Sequence, residues 1–247
     1  MTIDLDRHLP GSAFQLGASQ AHVWQTGLSH PSANFERLQA LLSTDELERA
    51  GRFVFERDRR HYITARAGLR LLLGAYLSCE PASIRFCYNQ WGKPALADVF
   101  GEQLYFNLAH SQDRAVYVFT RQGPPGIDLE YVRPFPEHQY FARMFFSQRE
   151  NNLLASLSEG DRLAAFYKLW TCKEAYLKAV GAGLAGELKD VEVELEPGSQ
   201  ARFSRAPGPQ SCQLELFRPF ENFQGALVTA ASSARPDYRA LDGYFNL

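Results

Sequence analysis

At 247 residues the chain is long enough to bury one large core or two smaller ones without disulfides or a structural metal. Hydrophobic residues make up 45% and charged residues 22%, and the formal net charge of -2 disfavours a general nucleic-acid binder. The four cysteines, Cys79, Cys87, Cys172 and Cys212, form no Cys-x-x-Cys pair, which speaks against a zinc ribbon and suggests a reduced, cytoplasmic protein. Asp4 and Asp6 occupy the region where a signal peptide would be basic, and Arg70 interrupts the most apolar helix, near Leu69 to Leu77. Neither secretion nor membrane spanning is expected. Ala21 to Thr26 reads as the first strand, and Ser43-x-x-Glu46 as a capping box opening a short helix through Ala50. A longer helix follows from Asp58 to Leu77, with Ile63, Ala67, Leu71 and Leu72 spaced for one apolar face, and Pro81 bars its continuation. Ile84 to Tyr88, Leu104 to Leu108 and Ala115 to Thr120 read as three strands.

Gly123-Pro124-Pro125-Gly126 is the strongest break in the chain and divides it into halves of residues 1–123 and 124–247. Beyond it the pattern predicts a strand over Ile127 to Tyr131, a helix over Glu137 to Phe145 and a second capping box, Ser147-x-x-Glu150, leading into Asn151 to Leu157. Asp161 is placed to cap a long helix that runs to Val180 and is stopped by Gly181-Ala182-Gly183. Strands follow at Val191 to Leu195, Gln213 to Phe217 and Gly225 to Ala231, with Pro197 to Ser211 read as a mobile hairpin loop. Both halves run from a long helix into several strands, an order that suggests an α+β fold of two similar subdomains with a cleft between them.

Two stretches carry most of the chemistry. On a strand, Asp128 and Glu130 share one face while Ile127 and Leu129 share the other; on a helix, Trp170, Glu174 and Lys178 lie one turn apart. Two acids on a water-poor strand end repel each other unless a cation compensates, and magnesium accepts two or three carboxylates beside waters and phosphates. The plainer readings are a solvated acidic face and an ordinary i,i+4 pair of Glu174 with Lys178. Lys173 points a quarter turn from Glu174, towards a neighbouring phosphate oxygen. Seven arginines fall between Arg49 and Arg70, beside His61. They form either a solvated helix face or a phosphate-binding patch in which Arg49 and Arg66 are the preferred members. Trp91-Gly92-Lys93-Pro94 holds a lysine in a stiff turn, and His110 ends a strand just upstream of the break, where an imidazolium would meet a phosphate in the cleft.

Read in order, Gly92-Lys93-Pro94, Asn107 to Ser111, Gly126 to Glu130 and Trp170 to Lys178 resemble the four signatures of the surfactin-type 4'-phosphopantetheinyl transferases. The resemblance spans about Ser43 to Leu184. It implies a pseudo-twofold monomer of two α+β halves that binds coenzyme A in the cleft between them. The implied reaction moves the phosphopantetheine arm to a serine of an apo acyl or peptidyl carrier protein and releases adenosine 3',5'-bisphosphate. Carried over by motif position, Asp128, Glu130 and Glu174 would coordinate magnesium, with manganese as the alternative, and Glu174 would also be the base. Lys178 would neutralise the pyrophosphate, and Arg49, Lys93 and His110 would bind the coenzyme, His110 at its 3'-phosphate. Arg66 and Lys173 join that set on charge and helix position. Ala109 departs from the serine frequent there in the family. The carrier is expected on Pro134 to Phe146, through apolar groups among Phe135, Phe141, Met144, Phe145 and Phe146 with Arg133, Arg143 and Arg149 nearby. A non-catalytic binding module and a magnesium-dependent pyrophosphate hydrolase are the rival readings. An oligonucleotide binder fits the arginine cluster but leaves the acids unexplained.

Overall fold

The computed structural model describes residues 14–29, 32–100, 104–182, 188–196, 200–207 and 212–241. Asp4, Asp6 and Gly183 lie outside them. The first half contains strand β1 (Ala21–Gly27), helices α1 (Ser32–Gln39), α2 (Thr44–Ala50) and α3 (Glu56–Leu77), and strands β2 (Phe86–Tyr88), β3 (Pro94–Leu96), β4 (Tyr105–Ser111) and β5 (Arg114–Thr120). Strands β4 and β5 form a tight hairpin whose turn sets Gln112 at a positive φ of 51°. Helix α3 lies on this sheet because Gly68 leaves room for a tyrosine: a Cβ there would stand 2.7 Å from the hydroxyl of Tyr117, which donates to the Ala65 carbonyl at 3.0 Å. Trp24, Leu69, Leu72, Phe106 and Phe119 fill the space between helix and strands. Burying side chains of this size from water is the dominant favourable contribution to the fold.

The second half contains β6 (Gly126–Tyr131), α4 (His138–Phe145), α5 (Gln148–Ser156), α6 (Glu159–Val180), β7 (Glu192–Glu196), β8 (Gln200–Arg205), β9 (Cys212–Phe217), β10 (Phe223–Ala230) and β11 (Asp237–Ala240). Its sheet has the order β6-β10-β9, all antiparallel, with α6 packed against it. Strand β11 crosses back and pairs in parallel with β1, giving the first sheet the order β11-β1-β5-β4. Apart from this last strand, the four-stranded sheet is drawn from residues before the Gly123 to Gly126 break and the three-stranded sheet from residues after it. Val23, Val116 and Val118 meet Ile127, Leu129 and Leu227 in an apolar cluster that glues one sheet to the other. Beside it, Asn107 on β4 accepts a hydrogen bond from the Ile127 amide at 3.0 Å, joining the edge strands through a side chain where no backbone ladder runs.

The fold is α+β, as the element order suggests. Four elements were not expected: α1, β3, β8 and β11 are short, or, like β8, sit in a stretch rich in turn residues. Strand β8 falls inside the expected loop of Pro197 to Ser211 and pairs with β7; residues 197–199 and 208–211 lie outside the described set. Ser158, not Asp161, caps α6: its hydroxyl accepts from the Asp161 amide and donates to the Asp161 carboxylate at 2.6 Å. Among the described residues no helix is long and apolar enough to cross a membrane.

Candidate active site

Strand β6 begins in direct contact with helix α6. A Cβ on Gly126 would lie 1.9 Å from the Ala175 carbonyl oxygen, so only glycine permits this approach. The alternation of the strand then sends Ile127 and Leu129 into the apolar cluster between the sheets, as the sequence pattern predicts, and Asp128 and Glu130 to the other face. Lys178 on α6 donates to Asp128 Oδ1 at 2.7 Å. The second oxygen of Asp128, Oδ2, and Oε1 of Glu174 are buried with no hydrogen-bond partner among the described residues. Glu130 is held apart by Ser111, whose hydroxyl donates to Glu130 Oε2 at 3.2 Å and accepts from the Tyr131 amide at 3.1 Å. Burial, then the Asp128 charge, pushes the Glu130 carboxyl up to about 7, and the same two causes push Glu174 to about 7.

Unpartnered carboxylate oxygens in a buried place are costly unless something positive comes to them. Their donor chemistry, hard oxygen only, fits a magnesium-type cation that keeps waters and substrate phosphates in its shell. The expected three-carboxylate set is nevertheless not assembled: among the described residues no three His, Cys, Asp or Glu side chains are gathered at ligand spacing. Asp128 and Glu174 offer free oxygens, while Glu130 is turned to Ser111.

Other predicted residues fall elsewhere. Arg66 is buried, donates to Glu46 at 2.6 Å and lies 4.6 Å from the Phe86 ring centroid, so it belongs to the core and not to a phosphate patch. Lys173 is fully buried. Its quarter-turn offset aims it between α6, α5 and β7, where it meets Glu150 at 2.7 Å and donates to the Leu188 and Val191 carbonyls. Lys93 does reach the second half, but its ammonium is taken up by backbone carbonyls there. Arg49 is exposed, its guanidinium 5.8 Å from the Tyr62 ring centroid.

His110 lines a cavity of about 320 Å³ with Phe53, Arg57, Asp58, His61, Ser111 and Gln112. Burial in the cavity wall, then the Lys178 and His61 charges, hold its imidazole below the usual histidine range. Ser111 and Gln112 also line a second cavity, of about 210 Å³, that runs from Glu130 to Trp170 between Phe135, Phe141, Phe166 and Tyr167. The β4–β5 turn thus separates a basic chamber from an aromatic one, and Glu130 of the acidic group lines the aromatic one.

Arg57 and His61 were not singled out from the sequence. One signal for them existed: they are i,i+4 neighbours on α3, the spacing that puts an arginine and a histidine on one face. The apolar residues of the expected carrier surface divide. Phe135, Phe141 and Phe146 pack on Phe166 or Trp170, whereas Met144 and its neighbour Tyr140 are exposed on α4. Ala109 is buried in the apolar cluster between the sheets, so a hydroxyl there would face Val116 and Ile127.

Free carboxylate oxygens on Asp128 and Glu174, a lysine bonded to Asp128 and a cavity lined by two histidines and an arginine are suited to an enzyme that handles a phosphate-bearing substrate. Residues 27–121 match the model of the N-terminal 4'-phosphopantetheinyl transferase domain, and residues 124–229 match that of the 4'-phosphopantetheinyl transferase superfamily. The chain is 40% identical over 222 residues to the 4'-phosphopantetheinyl transferase HetI of Nostoc sp., a match covering 90% of this chain and 92% of that one. It is 39% identical to a putative 4'-phosphopantetheinyl transferase of Synechocystis sp., over 70% of this chain and 69% of that one. With the 4'-phosphopantetheinyl transferase Sfp of Bacillus subtilis it shares 26% identity over 82% of this chain and 87% of that one. The chain belongs to the 4'-phosphopantetheinyl transferase superfamily, and its activity is transfer of phosphopantetheine to carrier proteins.

Proposed function

We propose that the cleft binds coenzyme A with a magnesium or manganese ion, and that Asp128 and Glu174 supply the protein's ligands to that ion. Glu130 joins them directly or through water. The observation that supports this reading is the pair of buried, unpartnered oxygens, Asp128 Oδ2 and Glu174 Oε1, next to the Lys178 ammonium. When bound, the cation supplies charge neutralisation at the pyrophosphate.

In the transfer, the carrier's serine oxygen forms a bond to the phosphorus that bears the pantetheine arm. The bond from that phosphorus to the bridging oxygen breaks, and adenosine 3',5'-bisphosphate leaves with the electron pair. Glu174 is also placed to take the serine proton, through the carboxylate oxygen that the cation leaves free. Lys178 offsets charge on the departing bisphosphate. His110, with His61 and Arg57 in place of Arg66, lines the chamber for the 3'-phosphate. Exposed Tyr140 and Met144 on α4, with Arg143 between them, form the carrier-docking face. Both walls of the cleft come from one chain, which suits action as a monomer. Its four cysteines are free thiols, which suits the reducing cytoplasm where apo carriers are made.

Intact-mass measurement of apo acyl and peptidyl carrier proteins incubated with this protein and coenzyme A, with and without chelator, tests the reading. A gain of one phosphopantetheine that disappears on chelation is expected. Conversion unaffected by the chelator would remove the metal from the site.

A further inference from the structure

An α-helix leaves its last carbonyl groups without partners inside the helix, and these carry the negative end of its dipole. At the end of α6, the Leu177 carbonyl is satisfied locally by the Gly181 and Ala182 amides. The next ones are satisfied from the other half of the molecule. The Lys93 ammonium donates to Lys178 O and to Ala179 O, the latter at 3.2 Å, and Asn89 Nδ2 donates to Gly181 O at 2.9 Å. Lys93 also donates to Pro125 O at 3.4 Å, on the residue that precedes β6. An ammonium has three N–H groups, and here each has a carbonyl; none is left for a phosphate.

The turn that presents these donors is itself fixed. Asn89 Oδ1 accepts from the Trp91 amide at 2.9 Å and the Lys93 amide at 3.0 Å, while the Asn89 amide donates to Lys93 O at 3.1 Å. Gly92 takes a φ of +78°, and Gly181 opposite it a φ of +71°, where an added Cβ would stand 3.1 Å from Asn89 Nδ2.

One ammonium therefore ties the start of β6 to the end of α6. These are the two elements that carry the acidic site: Asp128 lies three residues after Pro125, and Lys178 bears one of the bonded carbonyls. We propose that Lys93, braced by Asn89, is a positioning residue for the transfer: it sets the spacing between β6 and α6 and so holds Glu174 and Lys178 against Asp128. This rests on the reading of Asp128, Glu174 and Lys178 as the reacting site. It differs from a role for Lys93 as a coenzyme ligand, because the lysine acts through helix α6 and touches no substrate.

The two roles separate kinetically. A lost ligand raises KM for coenzyme A, whereas a displaced reacting group lowers kcat, and a misplacement on the order of 1 Å costs on the order of 100-fold in rate. The test uses the full chain, with carrier conversion followed by intact mass. Lys93→Met is expected to lower kcat about tenfold or more while KM for coenzyme A changes less than about threefold. Added to Lys178→Met, it should cost little further, because residues acting as one unit are not additive. Amides of residues 177–182 should exchange with deuterium faster in Lys93→Met than in the wild type, with no substrate present.

Asn89→Ala keeps the ammonium but frees the turn, and should shift kcat and amide exchange the same way by less; it carries the test if Lys93→Met does not fold. A raised KM with unchanged kcat, unchanged exchange at the end of α6, or full multiplicative loss in the double variant overturns the proposal. Lys178→Met alone guards the underlying site. If that variant converts carriers at the wild-type rate, the site reading fails; if it is inactive while Lys93→Met keeps its kcat, only the positioning role fails.

Discussion

Glu46 and Glu150 stand at the same place in the two halves, each three residues after the serine that opens a short helix. Each turns its carboxylate inward to a cation on the long helix that follows. Glu46 accepts from the Ser43 amide at 3.0 Å, Arg66 at 2.6 Å and Arg70 at 2.6 Å; Glu150 accepts from the Ser147 amide at 2.7 Å, the Val193 amide at 2.9 Å and Lys173 at 2.7 Å. Burial alone would raise the Glu46 carboxyl, but Arg66, the Ser43 amide and Arg70 outweigh it and hold the group below its usual range. The cluster around Asp128 and Glu174 is the opposite case. There burial and like charge prevail at Glu174, and one oxygen on each residue has no partner. Lys173 and Glu174 are adjacent in the chain and fall on opposite sides of this divide. A buried charge whose bonds are complete belongs to the scaffold, and one whose bonds are incomplete marks where a ligand is expected.

The sharpest way to break this comparison is to neutralise one acid of each kind. Glu174→Gln should lower kcat by about 10²–10⁴, the range of a general base. Its melting temperature should hold or rise, since the change removes like-charge repulsion with Asp128. A folded Gln variant with wild-type turnover would move the base elsewhere. Glu150→Ala should do the reverse. It leaves the Lys173 ammonium buried and unpaired, which costs about 3–5 kcal/mol of stability. Denaturant titration reads that loss, and the folded fraction should keep its turnover number. A loss under about 1 kcal/mol would mean that the pair is hydrated or loosely held.

His22 sharpens the comparison because its bonds are complete in one protonation state only. Its Nδ1 lies 2.7 Å from the Tyr76 hydroxyl and its Nε2 lies 3.1 Å from Arg239 on β11. A guanidinium only donates, so Nε2 must accept and the ring is neutral with its proton on Nδ1. Protonating Nε2 would remove the acceptor and set a positive ring against Arg239. Burial, then Arg239, accordingly lowers the imidazole to about 4, against the raising influence of Asp237. Between about 6.5 and about 4 the unfolded chain binds more protons than the folded one, so stability falls as pH falls through that window. The loss has a ceiling of about 3 kcal/mol from this group. The stability of the wild type relative to His22→Phe, followed by unfolding from pH 7 to pH 4, should fall as pH falls, because the comparison cancels the opposite slope that Glu130 and Glu174 give both proteins. An equal slope in the variant would assign the effect to other groups.

Much of the scaffold was legible because its signals are local. Capping boxes at Ser43 and Ser147, the break at Gly123-Pro124-Pro125-Gly126 and the alternation from Ile127 to Glu130 each lie within a few residues. The paired faces of Asp128 and Glu174 were legible for the same reason. What satisfies a charge is not local: Glu46 finds Arg66 and Arg70 across 20 and 24 residues, and Lys93 finds Lys178 across 85. Charge and helix position therefore placed Arg66 and Lys173, and motif position placed Lys93, among ligand-binding groups, although folding supplies each with protein partners. Strand β11 escaped for a related reason, since its pairing with β1 joins the two ends of the chain.

The basic chamber gives the finest version of the comparison, because the arginine cluster of α3 contains scaffold and site residues a few positions apart. Arg66 is bonded to Glu46, whereas His61, five residues earlier, lines the cavity with His110 and Arg57. If the chamber holds a phosphate, His61→Ala and His110→Ala should each raise KM for coenzyme A about tenfold, the cost of one charge-assisted hydrogen bond at about 1.5 kcal/mol. Turnover at saturating coenzyme should change little, since neither ring reaches the bond that breaks. Both effects should be largest at acidic pH and fade as pH rises into the usual histidine range, because burial and neighbouring cations lower both rings and only the protonated forms carry charge to the phosphate. Arg49→Ala, outside the cavity, should leave KM unchanged. If Arg49→Ala raised KM while His61→Ala did not, the phosphate would lie on the outer face of α2, and the chamber would lose its assigned role.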